Sequence, residues 1–244
     1  MNANALNLFL FVGLPYVALI VCVVGVLYRY RQRGFTVTSL SSQMLERKSL
    51  FWGSVPFHIG IVVVFFGHLL TFLFPRATLA WNSAPVRLII LEVTAFTFGL
   101  TVLVGLGALM YRRFTNSRIR AVTTRMDIVL EILLLTQIVF GLWIALGYRW
   151  GSSWFAADLS PYLWSLLTLS PETGAVFALP WVIKIHIVGA FLVVLIIPFT
   201  RLAHFLVAPL HYIPRPYQQV VWNWDRRAIR DPETEWSRAR PRNN

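Results

Sequence analysis

Five apolar stretches, covering residues 6–28, 52–74, 88–111, 127–147 and 181–207, are each long enough to cross a bilayer. About 20 helical residues span roughly 30 Å of hydrocarbon. Lipid offers no water to an open backbone, so such runs must close their hydrogen bonds internally, as helices. The chain has 244 residues, 57% of them hydrophobic and only 13% charged, against about 25% charged in soluble domains. These features predict an all-α polytopic membrane protein with five transmembrane helices in a bundle. Pro15 and Pro198 fall inside spans, where bundle contacts can satisfy the carbonyls they free. The start, MNANALN, has no basic region before the first apolar run, so that run is read as a retained span.

The net charge of +12 could suggest nucleic acid, but the cations stand between the apolar runs and act as topology signals. Eighteen of the 22 Lys and Arg residues fall between spans one and two, between spans three and four, or from Arg201 near the end of span five onward. The other four are Arg76, Arg87, Arg149 and Lys184. This imbalance predicts the N-terminus outside and the C-terminus inside. Trp81, Trp150, Trp154, Trp164 and Trp181 then mark the outer interface. In the outer loop at 148–180, Ser160 is expected to cap a short helix with Pro161 at its first position. That helix could be an interfacial lid or a plain surface helix. A membrane domain at 1–211 and a polar, basic inner-side tail at 212–244, able to dock a partner, are expected. The one cysteine, Cys22, lies in an apolar run as a packing residue, and excludes an internal disulfide or a metal cluster held by this chain alone.

Four histidines stand within apolar spans: His58 and His68 in span two, His186 and His204 in span five. Ionisable side chains in lipid are costly and usually serve a function inside the bundle. Counting from the inner end of span two, His58 is about 10 Å deep and His68 about 25 Å. Span five runs the other way, so His204 is level with His58 and His186 with His68. The crossed pairing would separate partners by about 20 Å in depth. His186 and His204 are 18 residues apart, five turns of a straight helix, and so would share a face. Two bis-histidine haem sites would account for all four. A proton-relay or transport site is the alternative, and the lack of a carboxylate beside these histidines counts against it.

Haem propionates need cations. Arg112 and Arg113 end span three, Arg201 is one turn before His204, and Lys184 is two residues before His186. Arg112, Arg113, Arg201 and Lys184 are candidates for propionate pairing, the alternative being snorkelling to the interface. Gly60, Gly67 and Gly189 leave room for a flat macrocycle near the ligands. Glu92 and Glu131 are read as packing or near-interface acids, with proton handling as the alternative. His211, beyond span five, is read as interfacial.

The chain resembles the gamma subunit of respiratory nitrate reductase, a membrane dihaem cytochrome b. The resemblance is carried by SSQMLERK at 41–48, FHIGI at 57–61, FFGH at 65–68, RRFTNSRIRAVTT at 112–124, HIVGAF at 186–191, PFTRLAH at 198–204 and PRPYQQV at 214–220. It implies two b haems, the outer one on His68 and His186 and the inner one on His58 and His204. It implies quinol oxidation near the outer haem, in a multi-pass protein of the cell membrane. Its cytoplasmic partners would be an iron–sulfur beta subunit and a molybdenum-containing alpha subunit. The quinol site it implies lies around Arg87, Gly67 and His68. The family carries a lysine where span three begins, and Arg87 is the nearest cation here. Related cytochromes serve sulfur-metabolising complexes, which leaves that partner class as an alternative.

Overall fold

The computed structural model describes residues 3–34, 42 and 45–207. His211, the 214–220 motif and the expected tail at 212–244 lie outside the described residues. Among the described residues the fold is all-α with no strand. Five helices are long and apolar enough to cross a membrane: Asn4–Arg33, Lys48–Leu73, Pro85–Thr115, Arg125–Gly147 and Trp181–Phe199. In chain order the helices are α1 (Asn4–Arg33), α2 (Lys48–Leu73), α3 (Pro75–Asn82), α4 (Pro85–Thr115), α5 (Ser117–Ala121), α6 (Arg125–Gly147), α7 (Gly151–Trp154), α8 (Ser160–Leu167), α9 (Gly174–Ala178) and α10 (Trp181–Ile196).

Local chemistry sets the boundaries. Pro75 and Pro85 stand in the first turns of α3 and α4, where the missing N–H has no intrahelical partner to lose. The Asn116 side chain accepts from the backbone of Arg118 and Ile119 to open α5. A reciprocal capping box between Thr124 and Asp127 opens α6.

Small residues set the closest helix pair, α2 against α4. A Cβ at Gly60 would stand 2.6 Å from Val102 Cγ2 and 2.8 Å from the Phe98 carbonyl oxygen. At Gly105 it would meet the Phe57 nitrogen at 2.5 Å, and at Gly53 the Leu109 side chain at 2.9 Å. Lipid tails are as apolar as leucine, so close backbone packing is what holds such helices together. Gly60 therefore serves this crossing, and the expected role beside a macrocycle is corrected.

The fifth span is not one straight helix to residue 207. Helix α10 ends at Ile196, a 3₁₀ turn covers Ile197–Phe199, Thr200 is extended, and a second 3₁₀ segment runs Arg201–Val207. Pro198 is the physical cause, because its ring displaces the carbonyl one turn earlier and it donates nothing. The five-turn count between His186 and His204 therefore does not apply. Helix α1 fills the break. A Cβ at Gly25 would be 2.8 Å from Pro198 Cβ, and Arg29 donates to the carbonyls of Pro198 at 3.0 Å and Thr200 at 2.9 Å.

At the opposite end of the bundle the 148–180 loop packs inward. Phe11, Ile144, Leu159, Tyr162, Val176 and Ile183 belong to one buried cluster there. The Tyr162 hydroxyl donates to the Phe11 carbonyl at 2.7 Å, and Trp164 Nε1 to the Phe72 carbonyl at 3.0 Å. Ser160 does not cap α8. It has helical dihedrals, because a π-helical turn at Phe155–Leu159 carries α7 into α8, and its hydroxyl donates to the Thr71 carbonyl.

Candidate functional site

Two of the four histidines meet ring to ring. Near the arginine-rich end, the rings of His58 on α2 and His204 after the Pro198 break have centroids 6.1 Å apart, inclined at 76°. His58 Nδ1 pairs with the Ser54 carbonyl at 2.7 Å, and His204 Nδ1 with the Arg201 carbonyl at 2.8 Å. A carbonyl partner requires a proton on Nδ1, which leaves Nε2 of each ring as the nitrogen available for another partner.

His68 and His186 stand toward the other end. His68 Nδ1 pairs with the Val64 carbonyl at 2.8 Å, and the Phe155 ring meets its edge at 5.5 Å. The His186 ring is set against Gly141, where a Cβ would stand 3.2 Å from its Cε1. Nδ1 of His186 and Nε2 of Gln137 are buried polar atoms that make no hydrogen bond among the described residues. The Gln137 amide covers Gly189, one turn after His186.

These residues fit a haem. Two imidazoles on one iron, each about 2 Å from the metal, put their ring centres about 6 Å apart, the spacing of His58 and His204. No group of three or more His, Cys, Asp or Glu placed to hold a metal ion is found among the described residues. Paired imidazoles need only two ligands, because a macrocycle supplies the rest.

Residues 7–223 match the family model of the nitrate reductase gamma subunit. The chain belongs to the nitrate reductase gamma subunit family. It is 33% identical over 218 residues to the respiratory nitrate reductase 2 gamma chain of Escherichia coli, covering 88% of this chain and 96% of the relative. It is 31% identical over 208 residues to the nitrate reductase gamma chain of Bacillus subtilis, covering 84% and 93%. The respiratory nitrate reductase 1 gamma chain of Escherichia coli is 31% identical over 219 residues, covering 88% and 97%.

In this gamma-subunit fold the cations singled out in the sequence are engaged in different ways. Arg112 is buried and turned to the segment before α2. It donates to Glu46 Oε2 at 2.7 Å, to the Glu46 carbonyl at 2.9 Å, and to Ser42. Arg201 pairs with Asp127 at 3.1 Å and donates to the Val122 carbonyl at 3.1 Å, which holds the segment that carries His204 against α6. Lys184 donates to the Phe177 carbonyl at 2.8 Å and ties α9 to α10. Arg87 is exposed. It donates to the Ala80 carbonyl and the Ser83 hydroxyl and lies 5.4 Å from the centre of the Trp81 ring. Beside His68, Gly67 faces open space, with no atom within 4 Å of where its Cβ would be.

Sequence reasoning missed three connections. Arg113 pairs with Glu131 at 2.7 Å and lies 3.7 Å from Asp127. Arg29 reaches the Pro198 break. Glu92 accepts from the Ser152 backbone at 2.8 Å and its hydroxyl at 2.6 Å. In each case the two partners are far apart in the chain, and no local motif joins them.

Proposed function

We propose that this chain is the quinol-oxidising cytochrome b subunit of a respiratory nitrate reductase. It would hold two b haems, the inner one on His58 and His204 and the outer one on His68 and His186. Its N-terminus would face outward. Electrons would leave at the inner, cytoplasmic side to an iron–sulfur beta subunit and a molybdenum-containing alpha subunit. Family membership supports the complex, and the 6.1 Å spacing of the His58 and His204 rings carries the haem assignment.

Haem iron supplies reversible one-electron chemistry when bound. The chain's own residues do the rest. Backbone carbonyls of Ser54, Val64 and Arg201 orient three of the imidazoles and raise their basicity. Helix α2 carries one ligand toward each end, and α10 and the 3₁₀ segment after Pro198 carry one each, so the two sites sit at different depths. The open face at Gly67 leaves the His68 side accessible to a flat, apolar ring. Arg87 stands farther out, where its guanidinium can donate to a quinone oxygen.

Haem content and reduced-minus-oxidised spectra of four alanine variants of the intact complex test this reading. His58→Ala and His204→Ala should each lose the inner haem and keep an outer haem that quinol still reduces. His68→Ala and His186→Ala should each lose the outer haem and quinol oxidation. A wild-type complex with no haem, or loss of the same haem from His58→Ala and His186→Ala, would sink it.

A further inference from the structure

We infer that Glu92 takes the protons released when a hydroquinone is oxidised beside His68. This rests on the quinol-oxidising reading above and adds the acceptor that reading lacks. Oxidation of a hydroquinone to a quinone frees two protons as well as two electrons. The Arg87 guanidinium cannot accept one, because it is permanently protonated. His68 has Nδ1 on the Val64 carbonyl and Nε2 assigned to iron.

The helix register puts a carboxylate at the right depth. Across the antiparallel α2–α4 contact, Gly53 meets Leu109, Phe57 meets Gly105, and Gly60 meets Phe98 and Val102. Facing residue numbers add to 158–162 each time, so His68 is level with residues 90–94 of α4. Glu92 is at the middle of that range. Arg87 is five residues farther out, about 7.5 Å along the helix.

The surroundings of Glu92 suit a proton acceptor. Asn82 Nδ2 donates to the Ser152 hydroxyl at 2.9 Å, which directs the hydroxyl proton to Glu92 Oε1 at 2.6 Å. The Ser152 backbone N–H donates to the same oxygen. Oε2 accepts nothing among the described residues and lies 3.6 Å from where a Gly151 Cβ would stand. Phe155, one turn after Ser152, packs on the His68 ring and joins the two sites. The other ionisable groups at this end, on elements packed against α4 or just after them, are His68, Arg76, Tyr148, Arg149 and the exposed Asp158 in the π-helical turn after α7.

For each hydroquinone O–H bond broken, the proton forms an O–H bond at Glu92 Oε2. The electron would leave to the one-electron acceptor that a haem held by His68 and His186 would supply when bound, and would pass on toward the inner site before the second transfer. The neutral acid returns its proton to water at the outer end before the second O–H bond breaks. Two protons and two electrons have then left, and the quinone remains.

Glu92→Gln separates this role from a merely structural one. Glutamine keeps the oxygen that accepts both Ser152 bonds but takes no proton. In the intact complex, Glu92→Gln should keep both haems, their chemical reducibility and the wild-type unfolding midpoint. Its quinol-driven haem reduction should fall on the order of 100-fold, with KM little changed. The transient protonated-carboxyl band expected of wild type in time-resolved infrared spectra during quinol oxidation should be absent. An unchanged rate with an unchanged pH profile, persistence of that band, or a lost haem or lowered midpoint that marks Glu92 as a packing pin would each overturn the inference. If the wild-type complex itself is not reduced by quinol, the underlying functional reading fails instead.

Discussion

Arg29 on the first span donates to the carbonyl of Pro198 near the end of the fifth, and to that of Thr200 two residues on. A proline break exposes carbonyls that lipid cannot satisfy, and a guanidinium with five donors can take two at once. Arg29→Gln should therefore destabilise the bundle by about 1–3 kcal/mol, read as a lower unfolding midpoint in detergent. It should also loosen the segment that carries His204 and lower inner-site haem occupancy while the outer site stays full. Equal loss at both sites would remove the local role.

The glycines that face α2 and α4 to each other make a graded series. Gly105→Val adds bulk against the Phe57 backbone at 2.5 Å, and overpacking of this kind costs about 3 kcal/mol or somewhat less. Gly107 has nothing within 4 Å of its Cβ position, so Gly107→Ala should be neutral or gain about 0.5–1 kcal/mol from helix propensity. Thermal unfolding of the two variants side by side checks the contrast.

Arg113 lies between two buried carboxylates, Glu131 and Asp127, 4–7% exposed. Removing one partner of a buried pair leaves an uncompensated charge and costs about 3–5 kcal/mol. Arg113→Ala should reach that range. Arg113→Leu combined with Glu131→Leu should recover most of it, since an apolar pair carries no desolvation cost. A double-mutant cycle on unfolding free energies measures the coupling, and additive losses would contradict it.

Glu46 brings a pH signature. The Ser49 hydroxyl, and after it Arg112, hold its carboxyl at about 2, below the ordinary 4.5. A depressed folded value stabilises the fold above the unfolded value, and the contribution disappears as pH falls through the folded one. The stability difference between wild type and Glu46→Gln should be constant above about pH 5 and shrink between 4.5 and about 2. A difference that is flat across that window would mean the ion pair has no energetic weight.

Orientation is checked with a reporter fused after Asn244. On the eighteen-to-four division of Lys and Arg it should be active only in the cytoplasm. Activity outside would place the electron exit on the wrong side.

The amino-acid sequence by itself determined the five spans, since length and hydropathy are local properties and lipid permits little but helix. It also carried the expectation that His58 is level with His204, whose rings are 6.1 Å apart, because rise per residue converts numbering into height. The rotational part of that pairing was not legible. Eighteen residues make five turns only in an unbroken helix, and Pro198 breaks this one. Tertiary structure alone decided which cation meets which acid. Arg112 and Arg113 are neighbours on one helix end, yet the first turns to Glu46 and the second to Glu131. Adjacent residues on a helix point about 100° apart, so the positions of the flanking elements choose their partners. The same holds for Gly60 and Gly67. One is closed by α4 and the other is open, and only the packing of a second helix makes them different.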